Sequence, residues 1–258
     1  MASRPPFIEF ASLALSETEI ARRIALARAD CADEERGKPR IGRLVGELDI
    51  LAEPARRLVR RIDIPRSDNP RTIMVLPGFA AHPRKLRYLA RQLERAGHTA
   101  KRWGQGRNWG PTPETFALME ERLLDLHRRG GEPIVLLGWS LGGLYARELA
   151  HRHPQAVAKV ITMGSPFSGS PRANNVWRAY QFITGHEVDN PPVEADMSIK
   201  PPVETVALWS PADNAIAPRC AAGLPGERDR AVAVRCTHLG FTYSPDVIAA
   251  VLSELERE

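Results

Sequence analysis

Between residues 72 and 256, short apolar runs alternate with stretches whose apolar residues recur at helical spacing. Thr72 to Leu76, Thr99 to Trp103, Ile134 to Leu137, Val157 to Met163, Thr205 to Trp209 and Ala231 to Arg235 have the length and composition of strands. Lys85 to Arg95, Pro113 to Arg129, Leu141 to His153 and Pro245 to Glu256 read as helices between and after them. Thr112 is a candidate N-cap, and Gly97 and Gly130-Gly131 are stop signals. Ile134 to Leu137 is apolar without interruption, the mark of a strand covered on both faces. The alternation predicts an α/β fold, a mostly parallel sheet with helices on both faces and its ligand site at the carboxyl ends of the strands.

Two intervals break this rhythm. Residues 165–202 hold six of the 22 prolines around a helix-like patch from Val176 to Ile183, which predicts a small cap insertion over the strand ends. Residues 1–71 predict a helical N-terminal extension to a core of residues 72–258. Ser16 heads a helix from Glu17 to about Ala29, with Glu19 at the capping-box position and Ile20, Ile24 and Ala27 on one face. A second helix spans about Arg43 to Arg61, weakened by Gly46 and Pro54. Arg56, Arg57, Arg60 and Arg61 beside Leu58 and Ile62 suggest a membrane-surface or partner helix, a reading that the balancing acidic residues of the segment oppose.

The residues that carry chemistry are Gly138-Trp139-Ser140-Leu141-Gly142-Gly143, placed directly after a buried strand and directly before a helix. A strand that turns this sharply into a helix needs small residues at 138 and 142 and holds Ser140 in a strained conformation at the helix start. There the helix dipole and free backbone donors favour developing negative charge. A serine needs a base and an acid, expected downstream in the order Ser, Asp, His. Asp213 lies after the strand Thr205 to Trp209, and His238 after Ala231 to Arg235. The other histidines mostly fall on or beside helices, and Asp189 and Asp196 fall in the cap. The oxyanion donors expected are the backbone N–H groups of Leu141 and of Phe79, the latter in Pro77-Gly78-Phe79 after the first core strand.

On Leu76-Pro77-Gly78-Phe79, Gly138 to Gly143, Ser210 to Asp213 and Thr237-His238-Leu239, residues 72–258 resemble the α/β-hydrolase superfamily, in particular its lipase and esterase-like bacterial members. The resemblance implies a serine hydrolase that works through an acyl-enzyme intermediate without a cofactor or metal. Two features depart from that pattern: the usual first strands are not evident in residues 1–70, and Gly104 to Gly110 is no part of the signature. Within that stretch Arg107 is a candidate anion-binding or ion-paired residue and Trp109 a candidate wall of the acyl site. Trp139, Phe167 and Trp177, with the other aromatics near strand ends, suggest an apolar pocket for an acyl or aromatic ester.

Composition narrows the alternatives. The 258 residues carry a formal charge of +5, of which 71–132 contributes +6 (12 basic, 6 acidic side chains). This excess, which lacks a nucleic-acid-binding motif, points to an anionic substrate or surface and not to nucleic acid. No apolar run reaches membrane-spanning length, peripheral contact stays open, and Ile8 to Leu15 is interrupted by Glu9 and Ser12, so a cytoplasmic location is expected. Cys31, Cys220 and Cys236 have neither metal-site nor framework spacing. The leading expectation is hydrolysis of a small-molecule carboxylic ester. A thioesterase or acyltransferase shares every residue named, since Gly-Trp-Ser-Leu-Gly-Gly also resembles the elbow of stand-alone thioesterases. A non-catalytic binding protein on the same scaffold is the alternative of another class.

Overall fold

The computed structural model describes residues 17–28, 46–48, 51–53, 55–56, 62–170, 172–190, 192 and 196–257. Six strands, β1 (Thr72–Leu76), β2 (Thr99–Arg102), β3 (Ile134–Trp139), β4 (Val157–Met163), β5 (Glu204–Trp209) and β6 (Arg230–Ala233), form one sheet in the order β2-β1-β3-β4-β5-β6. Every pairing is parallel. The strands are connected or followed by α2 (Arg87–Arg95), α3 (Pro113–Gly130), α4 (Leu141–Arg152) and α7 (Pro245–Glu256); α1 (Glu17–Ala27) precedes the sheet, and α5 (Trp177–Thr184) and α6 (Pro218–Ala222) lie in the loops above it.

The unbroken apolar strands are explained by two separate cores. Ile73, Val75, Val135 and Leu137 face one side, against Leu89 and Leu93 of α2 and Val247, Ile248 and Val251 of α7. Met74, Leu76, Ile134 and Leu136 face the other, against Phe116, Met119 and Leu123 of α3 and Tyr145 and Leu149 of α4. Alternate side chains point to opposite faces, so a strand covered twice must be apolar at every position. Helix ends follow local chemistry: Thr112 Oγ1 accepts from Thr115 N at 3.1 Å, and Gly131 (φ 73°) ends α3 in the left-handed region. The helix expected from Lys85 starts as a tight turn over Pro83–Leu86 before α2. Strand β6 stops at Ala233, short of Arg235, because its partner β5 ends at Trp209, opposite Ala233.

The sequence switches direction at β1: β2 lies on one side of it and β3 on the other. Such a switch opens a crevice at the carboxyl edge. Leu76 pairs with Gly138, which sets the loop after β1 beside the turn after β3. Trp209 pairs with Ala233, which sets the loops after β5 and β6 side by side.

Over this edge lies the insertion with α5. The described part of the N-terminal extension docks there. Gln181 Nε2 donates to Leu26 O (2.6 Å) and Arg178 Nη1 to Ala27 O (2.8 Å), while Arg23 Nη1 reaches Ile183 O (2.6 Å) and Arg22 Nη1 reaches Gly185 O (3.1 Å). Helices α1 and α5 therefore run antiparallel, with two guanidinium groups on the negative end of α5. Glu19 binds both arginines, which holds its carboxylate down at about 2. The contact is polar, and Ile20 and Ile24 stay 39% and 36% exposed. Most of the second expected helix, and Ser16 and Cys31, lie outside the described residues. Cys220 and Cys236 are free thiols.

One buried group links the fold to pH. His98 precedes β2, and its Nδ1 accepts from Arg71 N at 3.1 Å. Burial, opposed by Glu256 and aided by Arg71, lowers its pKa from 6.5. The neutral ring is thus favoured in the folded state, and the unfolded chain takes up a proton more readily. Stability held above pH 6.5 is expected to fall as pH drops from there toward the folded-state value, at up to about 1.4 kcal/mol per pH unit. Urea midpoints at pH 7.5 and 5.5 check this, with His98→Gln showing a smaller difference than wild type.

Candidate active site

Ser140 sits between β3 and α4 at φ 53°, ψ −123°. Its N–H still donates to Met163 O of β4 at 2.9 Å, and its carbonyl accepts from Gly143 N at 2.9 Å. The strand ladder thus runs to the residue itself before the chain reverses. A Cβ on Gly138 would overlap Gly142 O, and one on Gly142 would overlap Leu76 O. Backbone surrounds both positions, so only glycine permits this turn.

Asp213 is buried in the loop after β5. Its Oδ1 accepts from Ala215 N (2.9 Å) and Ile216 N (2.8 Å), and its Oδ2 lies 2.9 Å from His238 Nδ1. Two backbone donors therefore fix the carboxylate and aim its second oxygen at the ring. The bond assigns the proton to Nδ1 and leaves Nε2 as the proton-accepting atom. Ser210 links the two loops: its hydroxyl donates to Cys236 O at 2.6 Å. Burial of His238 disfavours its cation, but Asp213, by charge and hydrogen bond, and Glu47, by charge, outweigh it and raise the pKa above 6.5.

A cavity of about 800 Å³ opens above the elbow. Ser140, Leu141 and Phe79 line it together with Phe116, Tyr145, Phe167, Trp177, Tyr180 and Ile216. Phe79 and Tyr180 pack with ring centroids 5.2 Å apart, which joins the loop after β1 to α5. Burial pushes the Tyr180 phenol up to about 12, so it stays neutral at working pH. The charged side chains on the lining are Glu148, Asp189, Asp196, Glu227 and Arg219. Beneath the cap Arg147 of α4 is fully buried. Its guanidinium stacks on Phe167 at 4.3 Å and donates to Met197 O, Ile199 O and Glu227 O. Burial lowers its pKa to about 10, so it remains charged near neutrality and ties the end of the cap to the elbow helix.

Phe167 and Trp177, singled out in the sequence, both line the cavity. Trp139 is buried elsewhere: its indole N–H donates to His238 O at 3.1 Å, and its ring packs on the imidazole. Arg107 and Trp109 are also outside the lining. Arg107 Nη1 donates to Ala80 O at 2.7 Å, and its guanidinium lies 5.4 Å from the Trp109 ring. Their neighbour Asn108, which had no signal in the sequence, is the pivot of this loop. Fully buried, it donates from Nδ2 to Pro77 O (2.8 Å) and accepts at Oδ1 from Gly110 N and Tyr145 OH (both 3.1 Å). Its backbone also pairs with Ala80 and Ala81, so the loop carrying the Phe79 amide is stitched to the loop after β2. Among the described residues no helix is long and apolar enough to cross a membrane, and no group of three or more metal-ligating side chains gathers.

Comparison with known proteins agrees with this architecture. The chain is 36% identical over 97 residues to a pimeloyl-[acyl-carrier protein] methyl ester esterase of Edwardsiella ictaluri, a match spanning 37% of this chain and 36% of that one. The fold is shared with the mature Bacillus licheniformis lipase BlEst2 (TM-score 0.55, 14% identity, 77% of this chain and 96% of that one). A Paleococcus ferrophilus monoacylglycerol lipase also shares it (TM-score 0.53, 15% identity, 76% and 99%). Residues 71–213, more than half of the sequence, match the family described as alpha/beta hydrolase fold, and with its elbow, parallel sheet and strand-end loops the chain belongs to that family.

Proposed function

We propose that this protein is a serine hydrolase that cleaves carboxylic esters of apolar acyl or aromatic acids through an acyl-enzyme intermediate. The observation that carries the reading is the oriented Asp213–His238 pair, 2.9 Å apart, on the same sheet edge as a strained Ser140 that opens into an apolar cavity. Ser140 Oγ attacks the ester carbonyl while His238 Nε2 takes its proton. Asp213 holds the ring through Nδ1–H and stabilises the imidazolium. The backbone N–H groups of Phe79 and Leu141 receive the oxyanion. Collapse of the tetrahedral intermediate breaks the ester C–O bond, and His238 returns the proton to the leaving alcohol. Water then attacks the acyl group, with His238 again as base, and Ser140 is released.

The cavity supports an uncharged acyl chain. Its lining is mostly apolar, and of its charged groups Glu148 pairs with Arg152 and Asp189 with Arg172. The same residues would serve an acyl-thioesterase, although the Edwardsiella relative is named for cleaving a methyl ester on a carrier-protein acyl group, which favours the ester reading. A p-nitrophenyl ester series from two to sixteen carbons, run beside matched acyl-coenzyme A thioesters, separates the two. Esters of intermediate chain length are expected to have the highest kcat/KM, about tenfold above acetate. A thioester preference of orders of magnitude would overturn the ester reading.

A further inference from the structure

Glu47 lies 191 residues before His238 in sequence, yet its carboxylate reaches the backbone of the His238 loop. Oε1 accepts from His238 N and Oε2 from Leu239 N, each at 2.8 Å. Beside it, a Cβ on Gly46 would stand 2.9 Å from Asn214 Nδ2, so this short stretch of the extension also abuts the Asp213 loop. The carbonyl of His238 is held from the other side by the Trp139 indole N–H at 3.1 Å. The base is thus gripped at its own peptide groups: Glu47 takes the N–H, and the residue preceding Ser140 takes the C=O.

We propose that Glu47 is a positioning residue for His238, through which the N-terminal extension completes the active site. The proposal rests on His238 serving as the base. Two charge-assisted bonds to consecutive amides fix the main chain from which the imidazole projects. The carboxylate also adds negative charge beside a ring that becomes cationic during turnover. Among the described residues, the groups that act electrostatically on His238 are Asp213 and Glu47. Trp139 and Phe241, whose rings pack against it, are neutral. The thiol of Cys236 is pushed up by burial and by Asp213 and carries no charge at working pH.

Removing the charge favours the neutral ring, so the acid limb of the pH–rate profile moves to lower pH. Glu47→Gln, which keeps one acceptor, is expected to lower kcat about tenfold with KM within about twofold. Its acid limb should shift down by about half a pH unit. Glu47→Asp keeps the charge but shortens the reach, so kcat falls while the limb stays close to wild type. NMR titration of the His238 ring reads the same shift without substrate. If wild type turns over no ester, the functional reading fails, yet this titration still tests Glu47. A His238 titration and acid limb unchanged in Glu47→Gln, a loss confined to KM, or failure of both variants to fold would overturn the proposal.

Discussion

Replacing Ser140 by alanine is expected to lower kcat on a p-nitrophenyl ester by about five to six orders of magnitude while leaving the melting temperature unchanged. The two halves of this expectation have separate grounds. The Ser140 side chain makes no capping bond to α4, and its backbone bonds to Met163 and from Gly143 do not involve the hydroxyl. Alanine at φ 53° meets the same steric cost as serine, so the elbow closes as before. The proposed covalent step, however, loses its attacking oxygen. A fluorophosphonate probe should label wild type and leave the alanine variant unlabelled; turnover retained within about a hundredfold would move the nucleophile elsewhere.

Asp213→Asn is expected to cost about four orders of magnitude in kcat with KM nearly unchanged. Asparagine can still accept from Ala215 N and Ile216 N through its carbonyl oxygen, so the loop has no reason to rearrange. It then presents an NH₂ group to His238 Nδ1, a donor facing what must be a donor. The ring responds by placing its proton on Nε2, the atom proposed to receive the Ser140 proton, and the imidazolium loses its counter-charge. Steady-state kinetics beside circular dichroism check the separation of rate from fold. A wild-type rate would assign the role to another carboxylate.

What the sequence reveals follows how local each cause is. Strands β1 and β4 and helix α7 have the residue limits expected from pattern alone. Their signals, an apolar run covered on both faces or a proline-headed helix, need no distant partner. The Gly138–Gly143 turn is legible for the same reason: two glycines and a serine between strand and helix state their own steric problem. The loops of Asp213 and His238 are legible only through their order along the chain, since the 2.9 Å between them depends on the β5–β6 register. Residues whose work lies in long-range contacts gave no sign. Asn108 reads as one polar residue in a glycine-rich loop, although it fastens the loop after β1. Arg147 carries no mark of its own within the helix pattern, although it is buried against Phe167 and three carbonyls. Trp139 and Arg107 are conspicuous in sequence, but the structure gives them backbone partners outside the cavity lining.

The Ser140 N–H bond to Met163 O has a consequence for how such a molecule can change. That bond belongs to the main chain, and so do the pairings that bring β1 and β5 to the same edge. Ser140, the proposed nucleophile, is therefore surveyed into place by peptide groups common to every residue type, while much of the cavity is furnished by side chains from loops and the 165–202 insertion, with Phe116 and Tyr145 shared with the core. Substitutions above the edge can redraw what fits without moving the serine, and repacking below it alters durability before it alters preference. Apart from those two shared side chains, the two properties occupy different strata of one chain, and variation can explore them one at a time.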